Sequence, residues 1–235
     1  MADLQTRYLG FKLKSPIIAA SSGLTNSVED IKEFEKNGAG AVVLKSIFEE
    51  EIRVQLEQDQ AAMSKESFLY PETLEFYEDF ASDDALTRYL SMITEAKKTV
   101  SIPIIASINC VTSEKWPFYA QYLQDAGADA LELNIFLMPS DFGKTCDERE
   151  REYFQIIEEV KKYVKIPISL KISFYSNNLG SLIQELSYSG IDGLVLFNRF
   201  YSPDIDINKM EIISTNVLSK SSEISMPLRW IGIMA

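Results

Sequence analysis

Two lysines and three asparagines stand at the ends of short apolar segments, where a folded chain could use them for chemistry. Lys45 and Lys171 close two of these segments, and Asn109, Asn134 and Asn198 close three others. A lysine at a buried strand end is typically a charged anchor for an anion or an electron-rich ring. Asparagine amides both donate and accept hydrogen bonds, which suits a planar heterocycle. The pattern predicts one binding site assembled from distant parts of the sequence.

The elements that would position these residues are the strands of a parallel α/β barrel. Strands covered on both faces are almost continuously apolar, and amphipathic helical stretches separate most of the segments. In such a barrel the functional residues lie at the carboxyl ends of the strands. The six segments are Pro16–Ser21, Ala41–Lys45, Pro103–Asn109, Ala130–Asn134, Pro167–Lys171 and Gly193–Asn198.

The regularity fades after Phe200, and we find no complete seventh and eighth unit in the sequence. A full barrel usually needs roughly 250 residues or more. We therefore predict a single domain over residues 1–235, a TIM (β/α)8-type barrel of about six units with the last two missing. An amino-terminal hairpin and a long loop insertion at about residues 47–81 complete the prediction. That loop either covers a ligand or is a surface insertion.

Composition narrows the function classes. The 23 basic and 35 acidic residues give a net charge of -12, which opposes a general affinity for nucleic acid or anionic membrane. The two cysteines show no metal-binding spacing, and no segment has the length of a signal peptide core or a membrane span. We expect a cytoplasmic protein without a metal site. The sequence has no histidine, which excludes a Ser/His/Asp triad and any histidine proton shuttle.

Taken in order, several of these segments resemble the dihydroorotate dehydrogenase family. The resemblance also covers the amino-terminal hairpin and the long loop with Tyr70-Pro71, and it extends through most of the chain. The matching motifs are Pro16-Ile-Ile-Ala-Ala-Ser-Ser-Gly23, Leu44-Lys-Ser46, Glu132-Leu-Asn134, Ser169-Leu-Lys171 and the strand that ends at Asn198.

The resemblance implies an FMN-dependent oxidoreductase that oxidises a dihydropyrimidine or a related small molecule in pyrimidine biosynthesis, and it also suggests a homodimer. By position, Lys45 and Ser46 would lie between flavin and substrate, and Asn198 would bind the substrate ring. Lys45 and Asn134 would contact both molecules. The residues implied to contact the cofactor are Ala20, Ser21, Gly23, Lys45, Ser46, Asn109, Asn134 and Lys171.

The sequence departs from the family in its catalytic base. The family loop after Glu-Leu-Asn supplies a Cys or Ser base, whereas Leu137 or Met138 occupies that position here. Neither side chain can accept a proton, and the base is therefore unassigned. Ser140 or Cys146 would substitute only if the loop folded differently.

Two further departures concern anion binding. In the long loop Glu66-Ser67 stands where the family often has an asparagine against the substrate, and the carboxylate would repel an anionic ring. The family also holds the FMN phosphate at the last two barrel strands. The comparison places Leu228–Ile233 in a strand or loop ahead of those strands, so we expect this chain to lack the phosphate site and to bind FMN weakly.

Two other hypotheses remain open from the residues. One is a barrel aldolase in which Lys171 forms a Schiff base with a carbonyl substrate. The other is a non-catalytic barrel remnant that binds a ligand or a partner.

Overall fold

The architecture comes from a computed structural model, in which the structure describes residues 3–52, 85–110, 113–137, 142–199, 203–214 and 219–235. The helices are α1 (Val28–Lys36), α2 (Ala85–Thr99), α3 (Trp116–Asp125), α4 (Cys146–Tyr163), α5 (Leu179–Ser187) and α6 (Ser225–Met234). The strands are β1 (Thr6–Tyr8), β2 (Phe11–Leu13), β3 (Ile18–Ala19), β4 (Ala41–Val43), β5 (Ile47–Phe48), β6 (Ile104–Asn109), β7 (Ala130–Asn134), β8 (Ile168–Ile172), β9 (Gly193–Leu196), β10 (Pro203–Asp206) and β11 (Glu211–Ser214).

The central sheet is parallel and follows the chain order. Its strands run β3-β4-β6-β7-β8-β9, and β5 pairs with the end of β6. Helices α1 to α5 alternate with these strands, and the sheet curls into part of a barrel. The prediction of an incomplete α/β barrel is confirmed. Each of the six apolar segments matches one strand of the path, although β8 extends one residue beyond its segment, to Ile172.

Side chains alternate between the two faces of the sheet, because successive residues of a strand point in opposite directions. The convex face packs against the helices, with Val42, Leu131 and Leu170 in the larger apolar cluster. The concave face is apolar near the amino ends of its strands, where Ile105 and Ala130 belong to a second cluster. Leu9 and Leu13 of the amino-terminal hairpin join that second cluster. The hairpin, confirmed as β1 and β2, thus closes this end of the concave face.

Polar side chains fix the starts of helices α1 and α4 and of strand β8. Ser27 caps α1 by accepting the backbone N–H of Asp30 at 3.1 Å. Thr145 and Glu148 form a capping box, and α4 therefore begins at Cys146. Asp192, in the turn before β9, accepts the backbone N–H of Ile168 at 2.9 Å and ties the start of β8 to that turn.

Two predicted boundaries change in the structure. The prediction of a strand or loop at Leu228–Ile233 is wrong, because this segment lies inside helix α6. Trp230 and Met234, four residues apart, pack one side of α6 against the larger cluster, as helical periodicity requires. The predicted insertion at 47–81 begins with β5, which belongs to the sheet. Residues 53–81 of that insertion lie outside the described residues.

The antiparallel pair β10 and β11 was not predicted. Ile205 lies opposite Ile212 across the pair, and both side chains are exposed. None of the helices in the described residues combines the length and apolar character of a membrane span.

Candidate functional site

A polar layer lies on the concave face at the carboxyl ends of β4, β6, β7 and β8. Ser107 stands two residues after Ile105, and Glu132 stands two residues after Ala130. Both side chains therefore point to the concave face, as the residues of the second apolar cluster do. Lys171 pairs in register with Asn134 on the neighbouring strand. The concave face of the sheet is therefore apolar at the amino ends of the strands and polar at their carboxyl ends.

Glu132 is the centre of this layer. Its side chain is almost fully buried, accepts a hydrogen bond from the Ser107 hydroxyl at 3.3 Å, and lies 3.7 Å from the Lys171 ammonium. Burial raises the pKa of Glu132 above that of an ordinary glutamate, and Lys171 and Ser107 oppose the rise. A buried carboxylate needs such partners, because leaving it unpaired would cost several kcal/mol (of order 3–5).

A chain of hydroxyl groups extends from Glu132 toward the mouth of the site. Ser107 Oγ lies 2.8 Å from Ser46 Oγ, which lies 3.1 Å from Ser21 Oγ. The backbone N–H of Ser46 also donates to Ser21 Oγ at 2.9 Å. Tyr89 of α2 fixes Ser107 from behind, because its hydroxyl donates to the Ser107 carbonyl at 3.1 Å and accepts the Ser107 N–H at 3.0 Å.

The asparagines form a second branch of the same network. Asn134 Nδ2 donates to Ser46 Oγ at 3.4 Å, and Asn198 Nδ2 donates to Asn134 Oδ1 at 2.9 Å. The backbone N–H of Asn198 is held by the carbonyl of Ile172 at 2.7 Å. The structure thus brings together Ser21, Ser46, Asn134, Lys171 and Asn198, five residues that the sequence placed in one site.

Four other residues implied to contact the cofactor do not take part in the described hydrogen bonds of this network. Lys45 forms an ion pair with Glu51 at 3.5 Å. Asn109 ends β6, in register with Phe48. Ala20 is exposed, and Gly23 begins a short 3-10 turn, where an added Cβ would meet no atom within 4 Å. Their roles remain predictions.

Of the residues considered for the catalytic base, the two that the structure describes, Leu137 and Cys146, lie outside this layer. Leu137, at the family base position, packs against the larger apolar cluster of the helix side. Cys146 is exposed and accepts a hydrogen bond from Asn177 Nδ2 at 2.9 Å. Both residues line a separate cavity of about 250 Å³. Met138 and Ser140 lie outside the described residues.

Sequence reasoning missed Glu132, Ser107 and Tyr89 as members of the site. A signal existed for two of them: Glu132 is a carboxylate within an apolar strand, two residues before Asn134, and Ser107 stands two residues before Asn109. A period of two places such residues on the same face as the strand-end asparagine.

Comparison with known proteins gives a consistent result. No protein-family model matches the chain. The catalytic subunit of dihydroorotate dehydrogenase B (NAD(+)) from Thermoplasma volcanium is 26% identical over 226 residues, which cover 92% of this chain and 69% of the relative. The same subunit from Methanocaldococcus jannaschii is 26% identical over 222 residues, 91% of this chain and 68% of the relative. Dihydroorotate dehydrogenase A (fumarate) from Limosilactobacillus reuteri is 26% identical over 211 residues, 88% and 67%.

Among solved structures, a phosphonopyruvate hydrolase matches with a TM-score of 0.49 and 16% identity, over 78% of this chain and 58% of that enzyme. The sequence relatives cover far more than isolated motifs, since they align with about nine-tenths of the chain. The chain is therefore similar in sequence to the dihydroorotate dehydrogenases, and its fold is a partial α/β barrel.

Proposed function

We propose that the polar layer binds the isoalloxazine ring of FMN and a small planar substrate, and that the chain is an FMN-dependent oxidoreductase of dihydropyrimidines. The observation that carries this proposal is one connected polar network. Lys171 pairs with the buried Glu132, and a chain of hydrogen bonds through Ser107 and Ser46 links Glu132 to Asn134 and Asn198. The sequence relatives are dihydroorotate dehydrogenases, and their activity supplies the substrate class of this proposal.

The residues present fit a flavin ring. Lys171 is a cation with little exposure beside amide groups, and a cation near the ring nitrogens stabilises negative charge on reduced flavin. Space beside Gly23 would admit a flat group against the backbone. Bound flavin supplies the hydride acceptor, and the protein supplies orientation and electrostatics. The proposal concerns this ring end, because the described residues do not include the glycine-rich phosphate loops expected from the family.

The chain's own residues have distinct tasks in this proposal. Asn134 and Asn198 orient each other through their 2.9 Å hydrogen bond, and their remaining amide atoms can read the edge of a planar ring. Lys171 supplies positive charge, and Glu132 holds it in place at 3.7 Å. The walls below the polar layer are apolar, and they exclude water from that end of the site.

The aldolase hypothesis is the weaker alternative. Schiff-base formation needs an uncharged amine, whereas the Glu132 carboxylate faces Lys171 at 3.7 Å. This ion pair suits a cation that binds or stabilises an anion better than it suits a nucleophile. The non-catalytic hypothesis, the homodimer and the cytoplasmic location remain predictions that the next experiment or a solution measurement can address.

The test is anaerobic reduction of the flavin by substrate. The full chain in saturating FMN is mixed with dihydroorotate, dihydrouracil or dihydrothymine, and the flavin absorbance is followed. We expect one of these compounds to bleach the flavin, and we expect Lys171→Met to slow the bleaching while the exposed control Lys162→Met does not. Binding of FMN without bleaching by any of them would favour the non-catalytic remnant. A borohydride-trapped adduct at Lys171 would favour the aldolase.

A further inference from the structure

The hydroxyl chain in the polar layer has a defined direction. When Glu132 is ionised it can only accept hydrogen bonds, so the single hydroxyl proton of Ser107 points to Glu132 Oε1 at 3.3 Å. Ser107 Oγ must then accept from Ser46 across 2.8 Å. Because Ser46 donates its only hydroxyl proton to Ser107, its oxygen must accept hydrogen bonds from Ser21 at 3.1 Å and from Asn134 at 3.4 Å. Every hydroxyl of the chain therefore donates inward.

The two ends of this chain differ in a way that suits proton transfer. Ser21 is partly exposed and follows β3 at the mouth of the barrel, whereas Glu132 is almost fully buried. Ser46 and Ser107, the two links between them, are also buried. A line of hydroxyls that all donate toward one carboxylate can pass a proton inward by shifting each hydrogen bond once.

We propose that Ser21, Ser46 and Ser107 relay the proton released during substrate oxidation from the mouth of the site to the carboxylate of Glu132. This inference rests on the proposed function and assigns the proton acceptor that the sequence left unassigned. Glu132 does not touch the substrate in this proposal. It acts through the three serines, and Ser21 is the group that meets the substrate.

Oxidation of a dihydropyrimidine breaks two C–H bonds, and one hydrogen leaves as a hydride to the flavin of the proposed function. The other leaves as a proton to Ser21 Oγ, and its bonding electrons become the new ring double bond. Ser21, Ser46 and Ser107 each pass on their own proton, and the Glu132 carboxylate becomes a neutral carboxyl. Reversal of the chain returns the proton to water at the mouth.

The groups around Glu132 permit it to hold either charge state. Lys171 of β8 lies 3.7 Å away and favours the carboxylate. Two tyrosine hydroxyls, Tyr89 from α2 and Tyr8 from β1, also lie near Glu132. Burial and the negative charge of Glu132 both raise the pKa of these tyrosines. Burial works in the opposite direction and raises the pKa of Glu132. A raised pKa makes the Glu132 carboxylate a stronger proton acceptor than a free glutamate, which suits proton transfer near neutral pH.

The first test needs no turnover. Infrared titration of the full chain follows the Glu132 carboxyl band, which Glu132→Gln identifies by its loss. Ser107→Ala removes the hydrogen bond to the carboxylate and should raise the pKa of Glu132 further. Ser107→Thr keeps the hydroxyl and should titrate as the wild type does. Ser189 is a partly buried serine, just after α5, whose hydroxyl donates to the Leu186 carbonyl instead, and Ser189→Ala is the control.

The second test measures the rate at which dihydroorotate bleaches the flavin in the FMN-saturated chain. We expect Ser107→Ala and Glu132→Gln to slow this step roughly 10²- to 10⁴-fold, the usual contribution of general-base catalysis. Ser107→Thr should restore most of the rate, and the FMN dissociation constant should be the same in the wild type and in both Ser107 variants. The solvent deuterium isotope effect on bleaching should be present in the wild type and differ in Ser107→Ala.

The two arms separate the relay from the function on which it rests. If no dihydropyrimidine bleaches the wild type, the proposed function fails, and the infrared titration alone decides whether Ser107 couples to Glu132. If Ser107→Ala bleaches at the wild-type rate, or if its Glu132 titrates as in the wild type, the relay is overturned.

Discussion

At the scale of single residues, Glu132 makes the site depend on pH. Burial raises its pKa above the ordinary 4.5, although Lys171 and Ser107 oppose the shift. The folded protein therefore keeps this proton to a higher pH than the unfolded chain does. Ionisation of Glu132 thus lowers the free energy of unfolding as pH rises from about 4.5 through the folded-state pKa.

This behaviour predicts a pH-dependent effect of Glu132→Gln, which cannot ionise. Its free energy of unfolding relative to the wild type should increase as pH rises through that window. Urea unfolding at a series of pH values measures the difference, and Glu158→Gln, at an exposed position on α4, is the control. A difference that stays constant with pH for Glu132→Gln would show that this carboxyl has the same pKa in the folded and unfolded protein.

Part of the site could be predicted from the sequence, because the end of an apolar strand is visible in the sequence. Ser46, Asn134 and Lys171 stand where apolar runs stop, and parallel strands bring such ends together. The contact between Glu132 and Ser107 depends instead on the register between two strands. Register is set by tertiary packing and cannot be seen within either strand alone.

At the scale of elements, the return from α1 to β4 fixes how the amino-terminal segment meets the sheet. Gly40 donates its N–H to the Ile17 carbonyl at 2.7 Å. An added Cβ at Gly40 would lie 2.1 Å from the Ser15 carbonyl oxygen. The backbone on both sides of this contact belongs to the sheet or leads directly into it, so neither side can move away easily.

We therefore expect Gly40→Ala to reduce the free energy of unfolding by about 1–3 kcal/mol, the usual cost of overpacking. Gly23→Ala is the matched substitution, because its Cβ meets no atom within 4 Å. It should leave folding stability unchanged, and because Gly23 is a predicted flavin contact it should weaken FMN binding. Urea unfolding measures the first effect and FMN titration the second. Equal stability of the two variants would contradict the close packing at Gly40.

Some strands and helices could be predicted from the sequence, and others could not. The buried parallel strands and helix α5 follow from continuous apolar runs and helical periodicity. Strand β5 has two residues, too few for any period to show. Helix α6 is apolar on several sides, and its sequence therefore resembles a buried strand. Only its packing through Trp230 and Met234 shows which side faces the barrel.

At the scale of the whole molecule, polar and apolar surfaces are separated along the strand direction. The hairpin covers the amino end of the concave face, and the polar network occupies the carboxyl end. The network holds one partly buried cation, Lys171, against one buried carboxylate, Glu132, in a protein whose net charge is -12. At long range the net negative charge repels anions, so it opposes electrostatic attraction of an anionic ligand from a distance. The positive charge of Lys171 acts only on a ligand that is already in contact with the site.

The central claim, that this polar layer holds a flavin ring, is tested most directly by equilibrium titration of the full chain with FMN and with lumiflavin, which has the ring but no phosphate. We predict saturable binding of both, weakened about tenfold or more by Lys171→Met and by Asn134→Ala. Lys162→Met should bind as the wild type does. If neither flavin binds the wild type, or if Lys171→Met and Asn134→Ala bind both flavins with wild-type affinity, the polar layer is not a flavin site.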